Sequence, residues 1–226
     1  MIMTQHRRTR LRRALAALGA LVALAAAWVL YDLYAPRRTA MRSFDADEVA
    51  RIETEMWRSY YARERLKLFR QLSELLRTQY NLPLWRSNSV AYQAARAAFV
   101  FKDGRSRADY EKALPSLVSF YESVREVSDV EFDAARAARL ELEWWIIHRE
   151  RRRRAPGDLE RALAALPAEL YDVPPEKLSE HARLRAEAMK IRDERAEAGG
   201  VTEADWRRID ELLHASWRSL HRAVND

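Results

Sequence analysis

With 226 residues, 48% hydrophobic and 33% charged, the chain has room for one sizeable core plus an appendage and is too apolar to be disordered. The absence of cysteine excludes disulfides, thiolate nucleophiles and cysteine-ligated metal sites. The net charge of +6 is not evenly spread: Arg7, Arg8, Arg10, Arg12, Arg13, Arg37, Arg38 and Arg42 oppose only Asp32, so residues 1–42 carry +7 and residues 43–226 carry −1.

From Ala14 to Tyr31 no charged residue occurs. As a helix, these residues would be about 27 Å long, close to the roughly 30 Å hydrocarbon thickness of a bilayer. Five arginines precede the run and three follow it, while Trp28, Tyr31 and Tyr34 gather at its downstream end as interfacial aromatics do. This bias predicts a single-pass protein of the bacterial inner membrane, its N-terminus cytoplasmic and its domain periplasmic. Ala25-Ala26-Ala27 also fits a signal-peptidase site, but the aromatics beyond the apolar run favour a retained anchor. The expected units are a basic cytoplasmic tail at 1–13, a transmembrane helix at 14–34, a linker at 35–44 and a helical domain at 45–226.

Helix signals fill that domain. Asp45, Ser106 and Thr202 are each followed three positions later by an acid, as in a capping box or a close variant. The apolar period predicts helices at about 46–64, 65–80, 88–102, 107–127, 130–151, 158–166, 175–197 and 203–223. Pro83 should close the second of these, Pro115 should kink the fourth, and Pro174-Pro175 should open the seventh. Gly104, Gly157, Gly199 and Gly200 follow apolar-periodic stretches, where C-caps belong. No stretch alternates with period two, so the expected class is all-α: one transmembrane helix, then a bundle of about seven to eight helices.

Several charges fall where apolar residues belong. Glu53 interrupts the stripe Val49, Ile52, Met56, Trp57 and Tyr60, and Arg185 centres a face holding Leu178, Ala182, Ala188 and Met189, with His181 one turn earlier. The segment LELEWWIIHRERRRR (140–154) is apolar nearly all round, which marks a central helix, yet it carries Glu141, Glu143 and His148. An unpaired buried charge costs several kcal/mol, roughly, so these groups need partners. We expect a buried polar network of Glu53, Glu141, Glu143, His148, His181 and Arg185, closed by the bidentate guanidinium.

The alternative is a di-iron or manganese carboxylate oxidase, ferritin-like or haem-oxygenase-like, with Glu53, Glu141, Glu143, His148 and His181 as ligands. The spacing argues against it. The one Glu-x-x-His pair, Glu211 with His214, points away from the apolar stripe Trp206, Ile209, Leu213, Trp217, Leu220 and Val224. Glu141 and His148 lie about 10 Å apart along their helix, too far to hold one ion together. No GxGxxG, Walker loop, GxSxG or HExxH occurs.

For interaction, Trp28, Tyr31, Tyr34, Trp85, Arg86, Arg151, Arg152, Arg153 and Arg154 are the interface candidates, because Trp, Tyr and Arg dominate binding hot spots. Trp206-Arg207-Arg208 and Trp217-Arg218 pair the same residue types. Nucleic acid is not an expected partner: the tail arginines flank a membrane span, and four arginines in an exposed loop of a −1 domain are a weak footprint. The blocks EMWRSYY, ELEWWIIHRE and HARLRAEAM resemble an uncharacterised group of bacterial helical proteins over residues 41–226, which implies no catalytic residue and no known activity. The expected role is a membrane-anchored accessory or scaffolding subunit without a catalytic site, bound to lipid and to a larger membrane protein complex. Respiratory and photosynthetic complexes carry subunits of this architecture.

Overall fold

A computed structural model describes residues 2–226, with side chains from Leu11 onward. Arg7, Arg8 and Arg10 of the expected basic tail lie outside the described side chains. The described residues form ten α-helices and two short 3-10 turns, with no strand among them. The class is all-α. Helix α1 (Ile2–Tyr34) contains one stretch, Leu11–Tyr34, with a mean hydropathy of 2.2, long and apolar enough to cross a membrane.

The remaining helices are α2 (Ala46–Tyr61), α3 (Arg65–Thr78), α4 (Leu84–Asp103), the single turn α5 (Arg107–Glu111), α6 (Leu114–Arg125), α7 (Ala134–Arg149), α8 (Asp158–Tyr171), α9 (Ser179–Glu197) and α10 (Glu203–Asn225). Each long helix of the bundle packs on the next, α4 meets α6 across α5, and α10 returns to pack on α2. The bundle is therefore a closed ring of eight helices. Their buried faces point at a common centre rather than at one facing partner.

Local chemistry starts these helices where the sequence places them. The Asp45 carboxylate accepts the N–H groups of Asp47 and Glu48 at 2.9 and 3.1 Å, and Thr202 and Asp205 form a full capping box. On α2 the inward positions Val49, Ala50, Ile52 and Glu53 are buried, while Arg51 pairs outward with Glu48 and Glu55. On α10, Ile209 and Leu213 are fully buried, each such side chain contributing about 1.5–3 kcal/mol of transfer free energy.

Four expectations are corrected. Helix α4 starts at Leu84, four residues early, because the Asp32 carboxylate of α1 accepts the Trp85 N–H at 2.6 Å and serves as a cap from outside the segment. Pro115 does not kink one helix: the 107–127 segment divides into α5 and α6, with Pro115 in the first turn of α6, where its missing N–H is harmless. Helix α8 runs through the buried Pro167 to Tyr171 instead of stopping at 166, at the loss of one backbone hydrogen bond. Gly157 adopts φ +85° as the N-cap of α8 rather than closing α7.

The largest correction concerns residues 35–44, which are wall rather than linker. Ala35, Met41 and Phe44 are buried, and Thr39 exchanges backbone hydrogen bonds with Val127 and Asp129. Arg42 donates to the terminal carbonyls of α8 and α10, at Tyr171 O and Val224 O, neutralising two helix C-termini together. The Phe44 ring packs against Tyr80, Tyr171, Trp217 and His221 with centroids 5.3–6.3 Å away, and stops this end of the ring.

Candidate functional site

Glu53 of α2 and Arg185 of α9 meet inside the ring. Arg185 Nη1 donates to Glu53 Oε2 at 2.7 Å and Nη2 donates to Oε1, a bidentate pair. Trp217 Nε1 donates to Oε2 at 2.6 Å and Trp57 Nε1 to Oε1 at 3.2 Å, so the carboxylate accepts four hydrogen bonds. Burial pushes the Glu53 carboxyl up, but the Arg185 charge and bonds, with Trp217 and His181, outweigh it and hold the pKa below its ordinary value. Burial likewise pulls Arg185 down and Glu53 more than restores it, so both partners are charged and mutually satisfied.

His181 lies one turn before Arg185, and its Nδ1 is 3.0 Å from the Ser216 carbonyl. A carbonyl only accepts, which places the ring proton on Nδ1 and leaves Nε2 an acceptor. Burial first, and the Arg185 charge second, push its pKa down to about 4. The ring is neutral at physiological pH.

Glu141 of α7 is held differently. Its Oε1 accepts Trp145 Nε1 at 2.8 Å and its Oε2 accepts the Tyr121 hydroxyl at 2.9 Å. Neither donor is a cation, and burial raises the pKa of its carboxyl toward the neutral acid despite the more distant Arg185 charge. The same burial, together with Glu141, lifts the Tyr121 phenol well above its usual value.

Two members of the expected network lie elsewhere. Glu143 is partly exposed and pairs with Arg107 at 2.8 Å, because it projects from the opposite side of α7 to the ring centre. His148 faces the far end of α9, where its Nε2 is 2.9 Å from Asp193 Oδ2. Asp193, which pattern reading passed over, is 5% exposed and also pairs with Arg151 and Arg192. Burial raises this carboxyl, yet the hydrogen bond and charge of His148, then those of the arginines, leave its pKa below the ordinary value. It sits eight residues beyond Arg185, at the edge of the same stripe, and that spacing was the available signal.

Among the described residues no three His, Asp or Glu side chains come together as a group that could hold a metal. Glu53, Glu141, Glu143, His148 and His181 are dispersed over five separate polar contacts, and Glu211 is exposed on α10 while His214 bonds Asp47 at 2.9 Å.

The interface candidates also divide. Trp28, Tyr31, Tyr34 and Trp85 are 40–74% exposed, with the Trp28 and Trp85 rings edge to face 6.2 Å apart. Arg86 is not a surface residue. It is 6% exposed, and its guanidinium donates to Leu33 O at 2.6 Å and Ala35 O at 3.1 Å at the end of α1. The four arginines are not a free loop either: Arg151–Arg153 form a 3-10 turn, Arg151 and Arg152 pair with Glu197, and Arg154 pairs with Glu150, leaving Arg153 exposed. Trp206 and Trp217 are drawn inward, away from the exposed Arg207, Arg208 and Arg218.

These polar groups border a cavity of about 460 Å³ at the ring centre. Apolar and aromatic side chains from every long helix of the ring form its walls, with Trp57, Trp144, Trp145 and Trp217 prominent and Glu141, His148, His181 and Arg185 among them. Its size lies within the 300–1,000 Å³ range, roughly, of small-molecule sites. No family model, curated protein or solved structure matches the chain.

Proposed function

We propose that the chain is a membrane-anchored accessory subunit that docks on and stabilises a larger membrane protein complex, held in the bilayer by its α1 span. In this reading the N-terminus is cytoplasmic and the ring lies on the periplasmic side of a bacterial inner membrane, in accord with the excess of arginines before the span.

The observation that carries the reading is the clasp between α1 and α4. The Asp32 carboxylate caps α4 at Trp85, the Arg86 guanidinium closes the last carbonyls of α1, and Trp28 stacks on Trp85. Interdomain linkers are ordinarily flexible and exposed, but here span and ring are joined by charge-assisted contacts, the Arg86 pair at the buried side and the Asp32–Trp85 bond at the exposed side. A locked joint lets one partner be gripped in the bilayer and beside it at once. Trp28, Tyr31, Tyr34, Trp85 and Tyr92 supply exposed aromatic surface along α1 and α4 near this joint.

Purification in mild detergent tests the proposal. Co-elution with a defined set of membrane proteins, weakened by Trp85→Ala, supports it, whereas elution of this chain alone at its monomer mass overturns it. A reporter fused after Asp226 that is active in the cytoplasm refutes the proposed orientation.

A further inference from the structure

The central cavity has two unlike ends. Met41, Tyr80 and Tyr171 line it near the α1 joint, where Phe44 and Arg42 close the ring. The opposite end is lined by Tyr60 and Tyr61 at the end of α2, Phe101 of α4 and His148 of α7.

Cations crowd that opposite end. Lys102 Nζ lies 4.6 Å from the Tyr60 ring centroid, the Arg149 guanidinium 4.5 Å from that of Phe101, and Arg65 4.8 Å from that of Phe99. Arg192 stacks on Tyr61, and its Nε is a buried donor without a hydrogen-bond partner. Asp193 already neutralises Arg192. Arg63, Arg65, Lys102 and Arg149 remain, the Arg149 guanidinium also donating to the Phe101, Lys102 and Gly104 carbonyls at the end of α4, with Asp103 and Glu64, which pairs with Lys67, as neighbouring carboxylates. Burial and its cationic neighbours hold the Lys102 pKa below the ordinary value despite Asp103, as expected where like charges outnumber their counter-ions.

Inside the cavity the charge is already balanced. Arg185 is taken up bidentately by Glu53, the His181 ring is neutral, and burial raises the Glu141 carboxyl above its ordinary range, so the interior offers an anionic head no free cation. Water is incompletely served there: 460 Å³ corresponds to about fifteen waters, each needing two to four polar partners, more than Glu141, His148, His181, Arg185 and the tyrosine hydroxyls supply. An apolar chain suits the interior, and a negative charge suits only the rim.

We propose that the ring binds a single-chain amphiphile with an anionic carboxylate or phosphate head, its tail in the central cavity and its head at the Arg63, Arg65, Lys102 and Arg149 rim. This site is independent of the docking surface proposed above, and either can fail without the other.

The test uses the full chain in lipid nanodiscs and a terminally dibrominated undecanoic acid, presented at neutral pH as the carboxylate and, separately, as its methyl ester. Bromine quenches the cavity tryptophans Trp57, Trp144, Trp145 and Trp217 on contact. The carboxylate should quench saturably and bind at least about tenfold tighter than the ester, a preference abolished in Arg65→Ala/Lys102→Ala and reduced by salt. Ala98→Phe, which fills the cavity from α4, should remove saturable quenching by both. Undecyl phosphate should compete with the carboxylate, and undecyltrimethylammonium should not. Equal affinity for acid and ester, or quenching that never saturates, overturns the proposal. Should Ala98→Phe lose its helical circular dichroism, the acid–ester comparison in the rim variant decides alone, because both substituted positions lie outside the core.

Discussion

Replacing Arg185 by Met removes the cation while keeping an unbranched side chain of similar length. Glu53 would keep Trp57 and Trp217 as donors and lose both charge-assisted bonds, leaving a carboxylate that is 7% exposed without a counter-ion. Breaking a buried pair from one side costs about 3–5 kcal/mol, against a typical total stability of about 5–15 kcal/mol. For a domain of this size that corresponds to a melting temperature lower by about 6–20 °C. Glu53→Gln/Arg185→Met should recover much of the loss, since a glutamine oxygen still accepts from the tryptophans and no charge is buried. The pH response supplies a second sign. In the native chain the Glu53 pKa lies below its unfolded value of 4.5, so its contribution is present above that pH and lost as pH falls through the folded pKa. In Arg185→Met burial is opposed mainly by the tryptophan donors, the folded pKa rises above 4.5, and this site's contribution is lost as pH rises instead. Thermal melts of the detergent-purified full chain, followed by circular dichroism at mildly acid and neutral pH, read both effects. A loss under about 1 kcal/mol, or a double variant no better than the single one, would refute the ion pair as the closure of the ring.

His181 makes the native chain acid-sensitive: with a folded pKa of about 4 against 6.5, it costs up to about 3 kcal/mol as pH falls across that window, and His181→Asn should flatten this part of the melting curve. Glu141→Gln should be neutral or stabilising at neutral pH, because the raised pKa makes the ionised form unfavourable; a loss above about 2 kcal/mol would show a carboxylate that the fold holds charged. Arg86→Ala should leave the melting of the ring nearly unchanged and speed hydrogen exchange at Leu33 to Arg38, where two carbonyls lose their donor; unchanged exchange would remove the clasp from the argument. Phe44→Ala should cost about 3–5 kcal/mol, as expected for truncating a buried aromatic, and a value near zero would mean that the ring end is not stopped there.

Local signals carried far in this chain and then ended abruptly. The caps at Asp45, Ser106 and Thr202 and the stripe of α10 are properties of a few neighbouring residues, so the sequence shows them directly. Glu53 and Arg185 were legible as charges on apolar faces, because a stripe interrupted by a charge implies a buried partner. The start of α4 was not, since its cap comes from Asp32, 53 residues upstream. Arg86 reads as half of a Trp-Arg surface pair until the end of α1 is placed beside it. Closure of the ring was hidden for the same reason. An amphipathic period gives the direction of each helix's inner face but not whether those faces meet in pairs or around a common space, and the cavity exists only in the second case.

Charge misled in an instructive way. The −1 net charge of residues 43–226 argues against a broad nucleic-acid surface, but it averages over acids and bases that the ring segregates. Most pairs on the outer faces are satisfied within a turn, such as Arg51 with Glu48 and Lys112 with Asp109, and contribute little beyond their own surroundings. At the far end, Arg63, Arg65, Lys102 and Arg149 come from three separate segments and converge because α2 ends, α3 begins, and α4 and α7 end there. With a screening length of about 8 Å at physiological ionic strength, a charged ligand at the rim responds to those cations and to the neighbouring Glu64 and Asp103, more than to acids elsewhere on the surface. Alternation of helix direction around the ring thus gathers these cations at one end of a nearly neutral domain, opposite the end that Phe44 stops and α1 joins.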